Sequence, residues 1–228
     1  MQKHSSSRNA RTDRMRYTLA IFDLDGTLAD SFPWFVANVN GVADRFGFRR
    51  VAETDIEPLR RKGTREILKR LEVPRWKVPL IARHSRRLKA EHAHAIGLFP
   101  GVGEMLKALV DHGVRLALVS SDAEANARRL LGAQAAYFSD FVCGVGLFGK
   151  AANFRRVLRR AQVEAAETIS IGDEIRDIEA ARKAGIDCGA VTWGYAAPEA
   201  LKAHAPDLIF SSIEDIVRQL IPRRLVAE

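Results

Sequence analysis

The chain has 228 residues, 47% of them apolar, and a formal net charge of +8. This length predicts one large domain, or one domain with an inserted module. Two cysteines, Cys143 and Cys188, are too few for a disulfide framework and indicate reduced core residues in a cytoplasmic protein. No apolar run approaches the roughly 20 residues of a membrane-spanning helix. The basic charge indicates anionic partners, namely phosphate esters, nucleic acid or a membrane surface, and of these we expect no membrane partner.

The first part of the chain is predicted to be a flexible tail followed by a buried strand. Residues 1–16 are polar and basic, which favours a flexible basic tail. Residues 19–23 form a continuous apolar run that ends in a carboxylate, which is typical of a strand buried on both faces of a parallel sheet.

Residues 31–98 have a different pattern. Apolar residues recur there at helical spacing, and fifteen Lys and Arg stand against seven Asp and Glu. We predict about four helices and no strand. Because this α-helical segment leaves the core directly after the first strand, it should lie over that strand's carboxyl end as a cap.

Strands and helices alternate from residue 99 onward. Further strands are predicted at 114–119, 138–143, 168–171, 188–192 and 208–210, with helices at 104–111, 123–131, 153–162 and 177–184. This alternation predicts an α/β fold with a Rossmann-like parallel sheet flanked by helices. Residues 17–30 plus 99–228 form the predicted core, and the cap is its insertion.

Two carboxylates follow the first strand. Asp23 and Asp25 project to the same side of an extended chain. The repulsion between two such carboxylates must be relieved by a cation between them or by a proton that they share. Such a pair is suited to holding Mg²⁺ and attacking phosphorus. Asp23 would be the nucleophile, and Asp25 would protonate the leaving alcohol and then deprotonate water. The alternative is that both residues only cap the turn.

Three predicted strands end in polar residues, namely Asp23, Ser120 and Asp173. Ligands of parallel sheets bind beyond these ends, so we expect the three side chains to lie together. Ser120 could bind a phosphate oxygen, and Asp173 could complete the oxygen ligands of Mg²⁺. Ser121 is a second phosphate candidate, although Glu124 three residues later favours a helix capping box for it.

Two further charged residues belong to this predicted site. Lys150, just before a helix, could neutralise the transferring phosphoryl group. Asp177 could orient Lys150 or the ligands from behind, or could only cap its helix. In the cap, the polar turn formed by Gly63, Thr64 and Arg65 is the candidate for substrate contact.

These motifs resemble the haloacid dehalogenase-like (HAD) hydrolases. The resemblance is carried by Asp23-Leu24-Asp25-Gly26-Thr27, Ser120, Lys150 and Gly172-Asp173 through Asp177, and it spans roughly residues 17–195. The helical insertion is similar to the cap of the phosphoglycolate phosphatase-like branch, although Ala151 stands where branch members often have proline.

The resemblance implies a Mg²⁺-dependent phosphatase acting on a small phosphorylated metabolite through an aspartyl-phosphate. It implies that Asp23 is the nucleophile, Asp25 the acid and base, Ser120 a phosphate contact and Lys150 the neutralising charge. It further implies that Mg²⁺ is bound by Asp23, Asp173 and the backbone carbonyl of Asp25.

Three alternatives stay open at this point. A phosphomutase would share the fold and pass the phosphoryl group to a sugar phosphate. A phosphonoacetaldehyde hydrolase would need a Schiff-base lysine in the cap, for which Lys62 is a candidate. A non-catalytic nucleic-acid binder would explain the basic charge, but few aromatic residues lie among the basic ones. The sequence leaves the substrate and the oligomeric state undetermined.

Overall fold

The core of the protein is a single parallel sheet. A computed structural model describes residues 15–144, 146 and 149–221. The strands are β1 (Leu19–Phe22), β2 (Arg115–Val119), β3 (Phe138–Val142), β4 (Thr168–Gly172), β5 (Asp187–Val191) and β6 (Leu208–Phe210). Their order in the sheet is β3-β2-β1-β4-β5-β6, and neighbouring strands pair in parallel. The predicted α/β parallel-sheet fold is confirmed.

The segment between residues 31 and 98 contains helices and no strand. It comprises α1 (Phe32–Phe46), α2 (Glu53–Arg60), α3 (Thr64–Arg70) and α4 (Val78–Glu91). Its two ends lie side by side, because Asp30 N donates to Gly97 O and Phe99 N donates to Leu28 O, each at 2.9 Å. We refer to residues 31–98 as the cap, and their boundaries as a separate unit stay a prediction.

Among the described residues after the cap, six more helices flank the sheet: α5 (Val102–Asp111), α6 (Glu124–Leu131), α7 (Lys150–Ala161), α8 (Ile175–Ala184), α9 (Pro198–Ala203) and α10 (Ile213–Leu220). The period-two alternation of β1 divides its side chains between two cores. Phe22 packs in the cluster that includes residues of α5 and α10, and Ile21 packs in the cluster that includes residues of α7 and α8. Both faces of the central strand are therefore covered, as its unbroken apolar run predicts.

Four helix starts differ from prediction by one to three residues, because α5, α6, α7 and α8 begin at residues 102, 124, 150 and 175 rather than at 104, 123, 153 and 177. Helix α7 begins at Lys150 rather than residue 153, because Asn153 lies inside the first turn and its amide donates to Gly149 O at 2.9 Å. The capping box predicted for Ser121 is wrong. Helix α6 starts two residues too late for it, with Ala123 rather than Ser121 as the N-cap and no side-chain hydrogen bond from that cap.

Sequence reasoning also missed α9 and α10. Helix α10 did carry a signal, since Ser212 caps it and accepts a hydrogen bond from Asp215 N. Residues 1–14 of the predicted tail lie outside the described residues. Among the described helices, none combines the length and apolar character needed to cross a membrane.

Candidate active site

The parallel register brings three strand ends together. Phe22 of β1 is aligned with Leu118 of β2 and Ile171 of β4, so the chain leaves all three strands at the same edge. Asp23, Ser120 and Asp173 follow these strands, and all three are buried. The register thus places the residues that carry these side chains at one edge of the sheet, where oxygens of Asp23 and Asp173 lie within 4.8 Å of each other.

Lys150 lies between two buried carboxylates. Its Nζ is 2.7 Å from Asp23 Oδ2 and 2.6 Å from Asp177 Oδ1. The other Asp177 oxygen accepts the N–H of Glu174 at 3.0 Å, which forms a capping box at the start of α8. The alternative that Asp177 only caps its helix is wrong, because Glu174 is the N-cap of α8 and Asp177, the third residue of the helix, also holds Lys150.

Burial and mutual charge set the protonation of this group. Burial, reinforced by the charge of Asp177, raises the pKa of Asp23 to about 6 even though Lys150 opposes the shift. Burial alone would raise the pKa of Asp177 too, but Lys150 and Arg176 outweigh it and hold that pKa below its usual value. Burial is likewise outweighed at Lys150, where both carboxylates raise the pKa and keep the ammonium charged.

Asp173 is fixed from two sides. Its Oδ1 accepts the hydroxyl of Thr27 and its Oδ2 accepts the N–H of Tyr195, both at 2.7 Å. Two glycines pack directly on this carboxylate, because a Cβ at Gly26 or Gly194 would lie less than 3.0 Å from its atoms. Gly26 also has a positive φ of 73°, which glycine adopts without strain.

The carboxylates at this edge are suited to a divalent cation. Oxygens of Asp23, Asp173 and Asp177 lie within 4.8 Å of one another. Burial and the charges of Glu174 and Asp23 raise the pKa of Asp173 well above its usual range, so negative charge here lacks compensation. Hard oxygen ligands with uncompensated charge fit Mg²⁺. The pKa of Asp177 is held low by its neighbouring cations, whereas the pKa values of Asp23 and Asp173 are raised, so Asp23 and Asp173 are the residues whose charge a bound cation would offset and that would hold it.

The cap contributes a cation that sequence analysis missed. Lys89 of α4 is buried, and its Nζ contacts Asp25 Oδ1 and lies 2.8 Å from Asp122 Oδ2. Burial would lower the pKa of Lys89, but Asp25 and Asp122 outweigh it and raise that pKa. One turn earlier, Arg86 donates to Ser121 O at 3.0 Å. Helix α4 thus packs over the end of β2.

The other predicted site residues are placed as follows. Ser120 Oγ accepts the N–H of Asp122 at 3.1 Å, and Ser121 is partly buried beside it. Gly63 and Thr64 face the start of α8, where Thr64 Oγ1 lies 3.5 Å from Glu174 Oε2. Arg65 is exposed. The structure therefore brings two of the three cap candidates to the core.

Several side chains at the site were given no role by the sequence analysis, among them Thr27, Lys89 and Asp122. Thr27 had a weak signal, since it lies two residues after Asp25 in the motif that carries the family resemblance. Asp122 had a similar one, two residues after a strand end. Lys89 had none, because its sequence neighbourhood is as basic as the rest of the cap.

Comparison with known proteins identifies the family. The model of the family described as haloacid dehalogenase-like hydrolase matches residues 20–191. The chain belongs to the haloacid dehalogenase-like hydrolases. It is 32% identical to a phosphoglycolate phosphatase of Synechococcus elongatus, over 87% of this chain and 94% of that one. It is 33% identical to a phosphoglycolate phosphatase of Agrobacterium fabrum, over 81% and 84% of the two chains.

A solved structure agrees with this HAD assignment. A haloacid dehalogenase-like family hydrolase from Streptococcus pneumoniae superposes with a TM-score of 0.73 over 90% of this chain and 98% of that chain. Its sequence identity is 21%, so this likeness concerns the fold. The predicted family and the predicted enzyme class, a hydrolase of the phosphatase type, are confirmed by the family model and the sequence relatives.

Proposed function

We propose that this HAD hydrolase is a Mg²⁺-dependent phosphatase that cleaves a small phosphate monoester through an aspartyl-phosphate. The observation that carries the proposal is the buried Asp23, whose Oδ2 lies 2.7 Å from Lys150 Nζ beside two further carboxylates. An excess of buried carboxylates is unfavourable in an ion pair that serves only stability. A phosphoryl-transfer site, in contrast, requires such carboxylates.

In the first step, an oxygen of Asp23 attacks phosphorus. The bond from phosphorus to the ester oxygen breaks, and Asp25 gives that oxygen its proton, so that the alcohol leaves. In the second step, water attacks the phosphorus of the aspartyl-phosphate and gives its proton to Asp25. The bond from phosphorus to the Asp23 oxygen breaks and inorganic phosphate leaves, so that Asp23 is again a carboxylate and Asp25 again carries a proton.

The other residues position and neutralise charge. Lys150, held by Asp177, offsets negative charge on Asp23 and on the phosphoryl oxygens. Ser120 and Ser121 supply hydroxyl groups for those oxygens. Mg²⁺, held by Asp23, Asp173 and the Asp25 carbonyl, would supply further neutralisation of the phosphoryl group.

The substrate part of the proposal rests on the names of the relatives. Two of them are phosphoglycolate phosphatases, so phosphoglycolate is the first ester to test. Gly63 and Thr64 are the cap residues proposed to contact it, together with Arg65. We further propose that the protein acts in the cytoplasm, consistent with its two free cysteines.

The experiment is a phosphate-release assay on phosphoglycolate and p-nitrophenyl phosphate, in EDTA and after adding Mg²⁺. We expect activity only with the metal. Asp23→Asn should abolish both activities and the phosphoryl adduct that mass spectrometry detects after an acid quench. Asp111→Asn, at an exposed position on α5, is the matched control and should be fully active. Full activity of the Asp23 variant would contradict the mechanism.

The alternatives have less support. Lys62, the Schiff-base candidate, is ion-paired to Glu66 at 3.2 Å on the cap. Several basic residues that could bind nucleic acid are also paired within the cap, including Arg49 with Asp55 and Arg50 with Asp44. A phosphomutase would be recognised by conversion of a hexose 1-phosphate to its isomer without phosphate release.

A further inference from the structure

The side chain of Asp25 depends on the cap for its position. Its Oδ1 contacts Lys89 Nζ, and within the part of the chain that the structure describes no other side chain bonds to this carboxylate. The Asp25 side chain is 25% exposed, whereas that of Lys89 is 7% exposed. A partly exposed carboxylate with one fixed partner takes its orientation from that partner.

Lys89 is in turn held by a carboxylate that the proposed mechanism does not use. Asp122 Oδ2 lies 2.8 Å from Lys89 Nζ, and the Asp122 side chain is 2% exposed. Its other oxygen accepts Ala123 N at 2.7 Å and Asn126 Nδ2 at 2.8 Å. Asp122 is therefore anchored through Oδ1 by two hydrogen bonds, and Lys89 lies between this buried carboxylate and Asp25.

Hydrogen bonds between helices α4 and α6 set the position of Lys89. Asn126 of α6 donates through Nδ2 to Arg86 O of α4 at 2.9 Å, one turn before Lys89. Arg129 of α6 donates to Ala90 O of α4 at 3.2 Å. Because these bonds tie α4 to α6, Lys89 reaches Asp25 when the cap is seated on the core.

We propose that Lys89, anchored by Asp122, is a positioning residue that orients Asp25 for proton transfer to the leaving group. This inference rests on the proposed phosphatase function. Lys89 contacts only Oδ1, so Oδ2 is left to carry the proton that passes to the ester oxygen as its bond to phosphorus breaks. Lys89 keeps its own protons throughout, and its ammonium has three donors, enough to bind both carboxylates.

The consequence is a dependence on the leaving group. An ester whose alcohol is a poor leaving group needs the proton from Asp25, whereas p-nitrophenolate leaves without one. Loss of Lys89 should therefore slow phenyl phosphate far more than p-nitrophenyl phosphate. The two esters share the phosphoryl group and the ring, so a defect in binding or folding would affect both alike.

The test compares kcat/KM, which reports the steps up to departure of the alcohol, on these two esters with Mg²⁺ present, for the wild type, Lys89→Met and Asp25→Asn. We expect Lys89→Met to lower kcat/KM on phenyl phosphate at least tenfold more than on p-nitrophenyl phosphate, with the same selectivity as Asp25→Asn. Lys89→Arg, which keeps the cation, should recover part of the loss. Arg87→Met, on the same helix with an 82% exposed side chain, is the matched control and should leave both rates unchanged.

A second variant separates positioning from stability. Asp122→Asn should show a smaller loss with the same selectivity, which also covers the case that Lys89→Met does not fold. Equal losses on both esters, or no loss, would overturn the role of Lys89 while leaving the phosphatase function intact. If the wild type releases phosphate from none of the three esters (phenyl phosphate, p-nitrophenyl phosphate and phosphoglycolate), the proposed function is overturned, and this inference with it.

Discussion

The buried position of Lys150 leads to the sharpest stability prediction. Its ammonium lies 2.7 Å from Asp23 and 2.6 Å from Asp177, and all three side chains are at most 8% exposed. Lys150→Met keeps the apolar stem but leaves two buried carboxylates without their cation. Removing one partner of a buried pair costs about 3–5 kcal/mol. For a domain of this size that lowers Tm by about 6–20 °C.

The stability lost in Lys150→Met should depend on pH. The pKa of Asp23 is already raised to about 6 with Lys150 present, and it rises further without that charge. A carboxyl group whose pKa is higher in the folded state than in the unfolded one destabilises the protein above its folded pKa. That destabilisation disappears as pH falls and the folded state takes up the proton. The variant should therefore be closer to the wild type at pH 5.5 than at pH 7.5.

The assay is thermal unfolding followed by circular dichroism, in EDTA, at both pH values. Lys107→Met is the control, because Lys107 makes an exposed ion pair with Asp111. We expect its Tm to equal that of the wild type. A loss below about 1 kcal/mol for Lys150→Met, or an equal loss at both pH values, would refute the view that Lys150 neutralises two buried charges.

Two further predictions concern the metal site. In EDTA the wild type should become more stable as pH falls from 7 toward 4. The pKa of Asp23 is raised from 3.8 to about 6 in the folded state, which lowers the free energy of unfolding by about 3 kcal/mol at pH values above 6, and protonation removes this penalty. Saturating Mg²⁺ should reverse this trend in Tm. A Tm that changes with neither pH nor Mg²⁺ would contradict this prediction. Gly194→Ala should weaken Mg²⁺ binding at least tenfold in calorimetry, because the new methyl group displaces Asp173, while the circular dichroism spectrum stays that of the wild type. Unchanged Mg²⁺ affinity would show that Asp173 is free to move.

Local sequence determined the strands and the residues at their ends. Apolar runs with a polar last residue predicted Asp23, Ser120 and Asp173, because every parallel strand delivers its carboxyl end to one edge. The helix that starts after Ser212 could also have been predicted, since its capping signal spans only three residues. Signals of this kind are readable because the backbone pattern repeats within a few residues.

Only the tertiary structure decided which side chains meet across long separations. Thr27 binds Asp173 across 146 residues, and Lys89 reaches Asp25 across 64. Helical spacing identifies an apolar face but does not say what that face packs against. The cap contains four lysines that look alike in the local sequence, and only the packing of α4 on α6 brings Lys89 to Asp25. The physical reason is that burial and ion pairing arise only when helices that are distant in sequence pack against each other. Neither property can be read from the residues next to Lys89 in the chain.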